Sequence, residues 1–246
     1  MQKKKIIHIT HTDPSSDSRI LNICESLYDL YPNYTQVIIG RNRKSNYFLK
    51  YKKFKIISLK IYSCGLPRFL RIIRSAIVFI EFNIRLFLKI LVLKPKVLHC
   101  HDMAGLYLGI FFKFILNSGF IYDAHELEAQ ANMVSPSEHV FRTLYEYFPI
   151  LNADHIITVS ESIALWYRWK GAKSVNVVSN KPIFNSGSFK NSDLKLLDKL
   201  PPKNNSINII YVGLLVPGRS IENIIDYFKG NAKYNIYFLG EGVLEK

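Results

Sequence analysis

Short apolar runs, rich in β-branched residues and hardly interrupted by polar ones, recur along this chain: Ile6–Ile9, Gln36–Gly40, Lys55–Leu59, Val97–Cys100, Phe120–Asp123, His155–Ser160 and Val175–Ser179. A strand with one wet face alternates apolar and polar residues. A nearly continuous apolar run suits a parallel strand buried on both faces. Longer stretches with helical spacing lie between the runs. In Arg19–Tyr31, residues Ile20, Cys24, Leu27 and Tyr31 share a face, and Leu106–Leu116, Glu138–Leu151 and Glu161–Trp169 read the same way. Strand–helix alternation of this kind predicts an α/β fold with a doubly wound parallel sheet of Rossmann-like type.

The alternation stops over residues 185–206, which are rich in Ser, Asn, Lys and Pro and end near Pro201 and Pro202. It restarts as strand Ile207–Val212, helix Ser220–Phe228 and strand Asn235–Leu239. The predicted organisation is a lobe over 1–184, a linker over 185–206, and the beginning of a second lobe over 207–246. A strand–helix–strand unit this short does not close a core alone. The second lobe is therefore expected to be incomplete, finished by further sequence or by a partner chain.

Residues Leu66–Leu93 set Arg68, Arg71, Arg74, Glu81, Arg85 and Lys89 within one arc of a helical wheel, against Ile, Leu, Phe and Val elsewhere. These charges argue against a spanning helix. The pattern fits two placements equally: a helix at a membrane interface, or one lying on the sheet with a solvated basic face.

Lysine and arginine number 33 against 19 acids, a formal charge of +14. That balance favours an anionic partner, whether nucleic acid, an acidic membrane surface or a phosphorylated ligand, or serves solubility alone. No nucleic-acid recognition module is present, so nucleic acid ranks last. Cys24, Cys64 and Cys100 are odd in number and widely spaced, which indicates neither a zinc ribbon nor a disulfide framework. The start, MQKKKIIHITHTDP, is too polar for a secretory signal. A cytoplasmic protein is expected, peripheral on the inner face of the membrane if the basic helix binds lipid.

Ligands of open α/β sheets bind beyond the carboxyl ends of the strands. That rule selects the loop THTDPSSDSRIL with Asp13, Asp17 and Arg19, then His101 and Asp102, then Asp123–Glu126, and Ser160 with Glu161. An imidazole beside a carboxylate is held in one tautomer and orientation, which suits it to a sugar hydroxyl or a phosphate oxygen. Metal binding by His99, His101 and His125 ranks well below sugar binding, because no compact ligand motif supports it. In YVGLLVPGRSIENII, Gly213, Gly218 and Arg219 precede a helix, a combination that offers backbone approach, free N–H groups and a guanidinium fork to a diphosphate. An ordinary turn with a solvated Arg is the plainer reading of that segment. Neither a Walker loop nor a G-x-G-x-x-G after the first strand occurs, which argues against a dinucleotide oxidoreductase.

Taken in order, DSRIL, VLHCHD, IYDAHE, ADHIITVSES, IIYVGLLVPGRSIENII and FLGEG resemble the family-4 retaining glycosyltransferases of GT-B fold, over Ile6 to Gly242. The resemblance implies transfer of a sugar from a nucleotide diphosphate sugar to a glycan or lipid-linked acceptor, with no metal and no cofactor. It implies that His125 lies beside the transferred sugar and that Arg219, where the family usually has lysine, touches the donor phosphates behind Gly213. It places Asp17 and Arg19 near the acceptor, and His101, Asp102, Glu126 and Ser160 fall on matching strand ends. Leu214 departs from the arginine frequent in the family, and the family's Glu-x7-Glu segment has no counterpart before Lys246. The chain is therefore expected to hold a donor weakly or not at all. A glycosyltransferase, as in cell-surface polysaccharide synthesis, is the leading reading. The alternative is a non-catalytic first-lobe subunit that binds acceptor, membrane or a partner chain.

Overall fold

A computed structural model of the protein describes residues 3–15, 17–42, 47–50, 53–65, 67, 71–130, 135–179 and 206–244. The expected linker falls outside them except for Ser206, as do Leu66 and Arg68. The chain divides into two compact units, Met1–Lys181 and Pro182–Lys246.

The described strands of the first unit are β1 (Lys4–Ile9), β2 (Tyr34–Asn42), β3 (Tyr47–Lys50), β4 (Phe54–Lys60), β5 (Val97–His101), β6 (Gly119–Ala124), β7 (His155–Thr158) and β8 (Val175–Val177). Its helices are α1 (Ser18–Leu30), α2 (Arg71–Leu93), α3 (Leu106–Leu116), α4 (Pro136–Asn152) and α5 (Glu161–Trp169), with 3-10 turns at Tyr62–Gly65 and Glu128–Gln130. The strands form one sheet in the order β3-β4-β2-β1-β5-β6-β7-β8. All neighbours run parallel except β3, which is antiparallel to β4. Strand β3 lies outside the apolar runs of the sequence. Its connection to β4 is too short for a parallel crossover, so the segment can only fold back as a hairpin. Strand order reverses at β1 and β5, the position where ligand crevices open in such sheets.

Side chains alternate along each strand, and paired residues share a face. Ile7, Ile9, Val37, Ile39, Leu98, Cys100, Phe120 and Tyr122 point to one face and meet Phe82, Leu86 and Ile90 of α2, Leu106 and Phe112 of α3 and Tyr167 of α5. Ile38, Phe54 and Ile56 point to the other face and meet Ile20 and Cys24 of α1. The expected helices on both faces are thus present, but unequally.

Capping sets three boundaries that periodicity misplaces. Asp17 accepts from Ile20 N to start α1. Ser135 accepts from Glu138 N with Pro136 in the first turn, so α4 begins ahead of the predicted Glu138. Ser160 accepts from Ile163 N, which turns the end of the predicted strand His155–Ser160 into the cap of α5. Helix α2 lies on the sheet through Phe82, Leu86 and Ile90. Its Glu81 accepts from the N–H groups of Tyr62 and Ser63 and pairs with Arg85 at 2.8 Å. Burial acts against the ionised carboxyl, but the Ser63 hydroxyl and N–H, the Tyr62 N–H and Arg85 outweigh it and hold Glu81 at about 2. Two charges of the expected solvated arc therefore fasten a turn. Among the described residues no helix is long and apolar enough to cross a membrane.

In the second unit β9 (Ile207–Val212) and β10 (Tyr234–Leu239) pair in parallel, connected through α6 (Ile221–Phe228). The loops after both strands run against each other: a Cβ on Gly240 would stand 1.7 Å from Gly213 O. Only glycine fits there.

Candidate functional site

The register of the sheet explains how one set of histidines comes together. His8 pairs with Ile38 and with His99, and His101 pairs with Asp123. Alternation puts His8, Gln36, His99, His101 and Asp123 on the α1 side of the sheet, in adjacent rows near the carboxyl ends of β1, β5 and β6. All five are buried, as is His125 beyond β6.

Gln36 Oε1 lies 3.1 Å from His8 Nε2, and His8 Nδ1 lies 3.3 Å from His101 Nε2. Asp123 Oδ2 is 3.1 Å from His101 Nδ1 and 3.3 Å from His99 Nε2, while Asp123 Oδ1 is 3.6 Å from His125 Nδ1. The contacts of Asp123 Oδ2 are close but poorly aligned, so none of the three atoms has a well-directed hydrogen bond. The carboxylate acts on these rings chiefly through its charge. His125 Nε2 is buried and also lacks a partner.

Burial, with His99 as the next cause, pushes His101 down to about 4 against the pull of Asp123. Burial and the neighbouring His99 and His101 push His8 well below its ordinary value. Burial opposes the ionised form of Asp123, but His101 and His99 hold its carboxyl well below the usual carboxylate range. At neutral pH, His8 and His101 are therefore neutral and Asp123 is charged. Each neutral imidazole has one N–H, and the carboxylate only accepts. His101 must then present Nδ1–H to Asp123, and His8 must donate Nδ1–H to His101 Nε2. His8 Nε2 becomes an acceptor, which requires the NH2 of Gln36 opposite it. A half-turn of the amide, whose ends have the same shape, satisfies this and gives the otherwise unpartnered Gln36 Nε2 an acceptor. The result is a hydrogen-bonded chain from Gln36 through His8 to His101, whose Nδ1–H faces the charge of Asp123.

Two groups, His8 with His99 and His101, and His101 with Asp123 and His125, bring ligand atoms within 4.8 Å of one another, close enough to hold a cation. A cation in the first group would displace the bond between His8 and His101.

A cavity of about 500 Å³ opens at the same end of the first unit. His11 comes to it from the loop after β1, Arg41 from β2, Asp102 from the turn after β5, Glu128 from the segment after β6, Arg74 from α2, and Arg142 and Tyr145 from α4. The loop after β1 lies tightly over the end of β2, where a Cβ on Gly40 would stand 2.5 Å from Thr12 O. Asp102 has φ 52 and donates its N–H to Asp123 O at 2.9 Å. Burial and the charge of Asp102 push Glu128 up to about 7, although Arg142 stands 3.1 Å away. Burial also lowers His11 and raises Asp102.

Of the expected site residues, the structure brings His101, Asp123 and His125 into one network and puts Asp102 on the cavity wall. Asp17 caps α1 with Arg19 3.8 Å away, Ser160 caps α5, and Glu126 is exposed. In the second unit Gly213 N donates to Leu239 O at 3.0 Å, and Arg219 is exposed just before Ser220, which begins α6 without a side-chain cap. Sequence reasoning missed His11, Arg41, Glu128 and Arg142. The strand-end rule could have found the first three; Arg142 comes from a helix and carries no such signal.

No family model matches the chain, and no curated protein matches it. Solved structures do. Sucrose-phosphate synthase from Thermosynechococcus elongatus is 14% identical with a TM-score of 0.67, over 97% of this chain and 70% of that one. Anabaena HepE, solved in complex with UDP and glucose, is 11% identical with a TM-score of 0.58, over 98% and 62%. The lipopolysaccharide outer core galactosyltransferase WaaB is 13% identical with a TM-score of 0.56, over 97% and 61%. The chain thus spans 61% to 70% of the length of these proteins. The shared architecture is the Rossmann-like α/β fold of the GT-B glycosyltransferases.

Proposed function

We propose that the chain belongs to a glycosyltransferase that moves a sugar from a nucleotide diphosphate sugar to a glycan or lipid-linked acceptor. The observation that carries this reading is the meeting of buried titratable side chains and a cavity at the carboxyl edge of a sheet whose fold is shared with a protein solved with UDP and glucose. In this reading the first unit is the acceptor side and the residues from 207 onward begin the donor side. His125 touches the transferred sugar through Nε2, the buried ring atom without a protein partner. Asp123 orients that ring by its charge, and the His8–His101 chain keeps Asp123 in place. Asp17, Arg19, His101, Asp102, Glu126 and Ser160 serve the acceptor side, Asp17 and Ser160 by fixing helix starts beside it.

On the donor side, Gly213 allows close backbone approach. Arg219 and the uncapped start of α6 stabilise the diphosphate as it leaves with the electron pair of the broken glycosidic bond. The acceptor hydroxyl closes on the same face of the sugar, with retention, and its proton passes to the departing phosphate oxygen. No side chain of unusual basicity is required. A seat for the first unit on an anionic inner membrane surface belongs to the same reading.

Saturation-transfer NMR with a panel of nucleotide diphosphate sugars tests this. Contacts to the sugar ring that His125→Ala removes, and contacts to the nucleotide that Arg219→Ala weakens, are expected. Donor saturation that neither variant changes, or tight donor binding by this chain alone, refutes the assignment of these residues.

A further inference from the structure

Three side chains that can ligate a cation converge at the carboxyl ends of β5 and β6. Ligand atoms of His101, Asp123 and His125 lie within 4.8 Å of one another. His101 Nδ1 is 3.1 Å from Asp123 Oδ2, and His125 Nδ1 is 3.6 Å from Asp123 Oδ1. The first distance suits a hydrogen bond, yet neither His101 Nδ1 nor Asp123 Oδ2 has a well-directed one. The ring N–H direction misses the oxygen that stands beside it, which is how two ligands of one ion lie. Ligands of a tetrahedral zinc ion, about 2.0–2.2 Å from the metal, stand about 3.3–3.5 Å apart. The two observed distances bracket that spacing.

Of the two groups of titratable side chains, this one suits a dication in the interior. Asp123 is 2% exposed, and taking a divalent charge out of water needs a compensating anion. His8, His99 and His101 supply none. Two imidazoles and one carboxylate suit zinc and ions like it, whereas calcium and magnesium ask for oxygen ligands and cuprous copper for sulfur. His125, 8% exposed against 1% for His101, marks the side from which an ion enters.

The outer partners are also in place. A neutral imidazole that ligates through Nδ1 carries its proton on Nε2. His101 Nε2 then donates to His8 Nδ1, 3.3 Å away, and His8 Nε2 donates to Gln36 Oε1 at 3.1 Å. Ligand histidines are commonly oriented by such a bond from the other ring nitrogen. The chain of the ion-free protein thus runs in reverse, with the Gln36 amide accepting instead of donating. His99 Nε2, 3.3 Å from Asp123 Oδ2, backs the carboxylate.

We infer that His101, Asp123 and His125 bind one zinc-class divalent ion through Nδ1 of both rings and the Asp123 carboxylate, with water completing the coordination. The ion joins the ends of β5 and β6 and fixes the His125 ring while leaving its Nε2 free. It holds the shape of the site and takes no part in breaking or forming a bond. Its binding is independent of any sugar donor.

Cobalt(II), added to the chelator-treated full chain without a histidine tag, reports the site optically. One equivalent gives the visible ligand-field bands of a four-coordinate site, and zinc removes them by displacement. Asp123→Asn and His125→Ala each weaken zinc binding at least tenfold, read by competition with a chromogenic chelator. His155→Ala, at an exposed histidine, leaves binding unchanged. Circular dichroism in chelator checks the fold of each variant. Long-range proton–nitrogen NMR of the unaltered protein needs no variant: zinc moves the His101 proton from Nδ1 to Nε2. Absence of the bands at one equivalent, undiminished binding by a folded Asp123→Asn or His125→Ala, loss of binding in His155→Ala, or a His101 proton that stays on Nδ1 in saturating zinc overturns the inference. No sugar nucleotide is present in these titrations, so failure of the donor proposal and failure of this one give separate results.

Discussion

His101 offers a direct measurement of what its buried network costs the fold. It is 1% exposed and is pushed by burial from an ordinary value of 6.5 down to about 4. Its folded value is below its unfolded one. Between these values the unfolded chain binds a proton that the folded chain refuses, so stability is lost as pH falls from about 6.5 to about 4. The slope approaches about 1.4 kcal/mol per pH unit, roughly 3 kcal/mol over the window. Total stability against acid does not isolate this, because Glu128, raised to about 7, contributes with the opposite sign over much of the same range. The difference between wild type and His101→Asn does isolate it, since Glu128 is common to both. Urea unfolding of the two proteins, followed by circular dichroism in steps from pH 7.5 to 4.5, gives that difference. The stability advantage of wild type over His101→Asn shrinks by about 1–1.4 kcal/mol per pH unit below pH 6. A gap that stays constant or widens on acidification refutes the neutral, carboxylate-facing state assigned to His101.

In a complete enzyme, Asp123→Asn, which keeps shape but removes the charge that orients His125, and His125→Ala each lower sugar transfer by about ten- to a hundredfold, as steady-state kinetics reads it, without unfolding the protein. Gly40→Ala forces a Cβ to within 2.5 Å of Thr12 O and destabilises the unit by about 1–3 kcal/mol in chemical denaturation. Along α2 two neighbouring positions separate: Leu86→Ala, fully buried, costs about 2–5 kcal/mol, while Ile84→Ser, exposed, stays within about 0.5 kcal/mol. The same Ile84→Ser protein sediments less with anionic vesicles than wild type does, and added salt weakens both. Equal sedimentation of the two proteins would end the membrane assignment for α2.

The alternation of apolar runs and helical stretches was sufficient to predict a parallel α/β sheet, because a strand buried on both faces has to be apolar throughout and its partner cannot be reached without a crossover. The strand-end rule likewise picked out His101, Asp102 and Asp123–Glu126, because it depends only on chain direction. What it could not tell is which face each side chain takes relative to other strands. His8 is an interior residue of one apolar run and Gln36 the first residue of another, and nothing in their own segments marks them. Register brings His8 beside His99 and puts Gln36 within reach of it, so the network exists only once β2, β1, β5 and β6 are side by side.

Helix α2 makes the same division. Its periodicity specified an amphipathic helix but not which of two apolar stripes meets the sheet, since Leu86 and Ile84 are equally hydrophobic in sequence. Burial went to the stripe that faces Ile9 and Leu98, and the other was left for α3 and α4 to extend into an exposed surface. Arg142 reached the cavity because α4 lies beside the turn at Glu128–Gln130. Local pattern therefore decided element type, order and strand polarity, which depend on neighbours within a few residues. The ionisation of Asp123, the neutrality of His101 and the shape of the cavity were decided by tertiary structure, because desolvation and charge act between groups that only the closed sheet brings within a few ångströms.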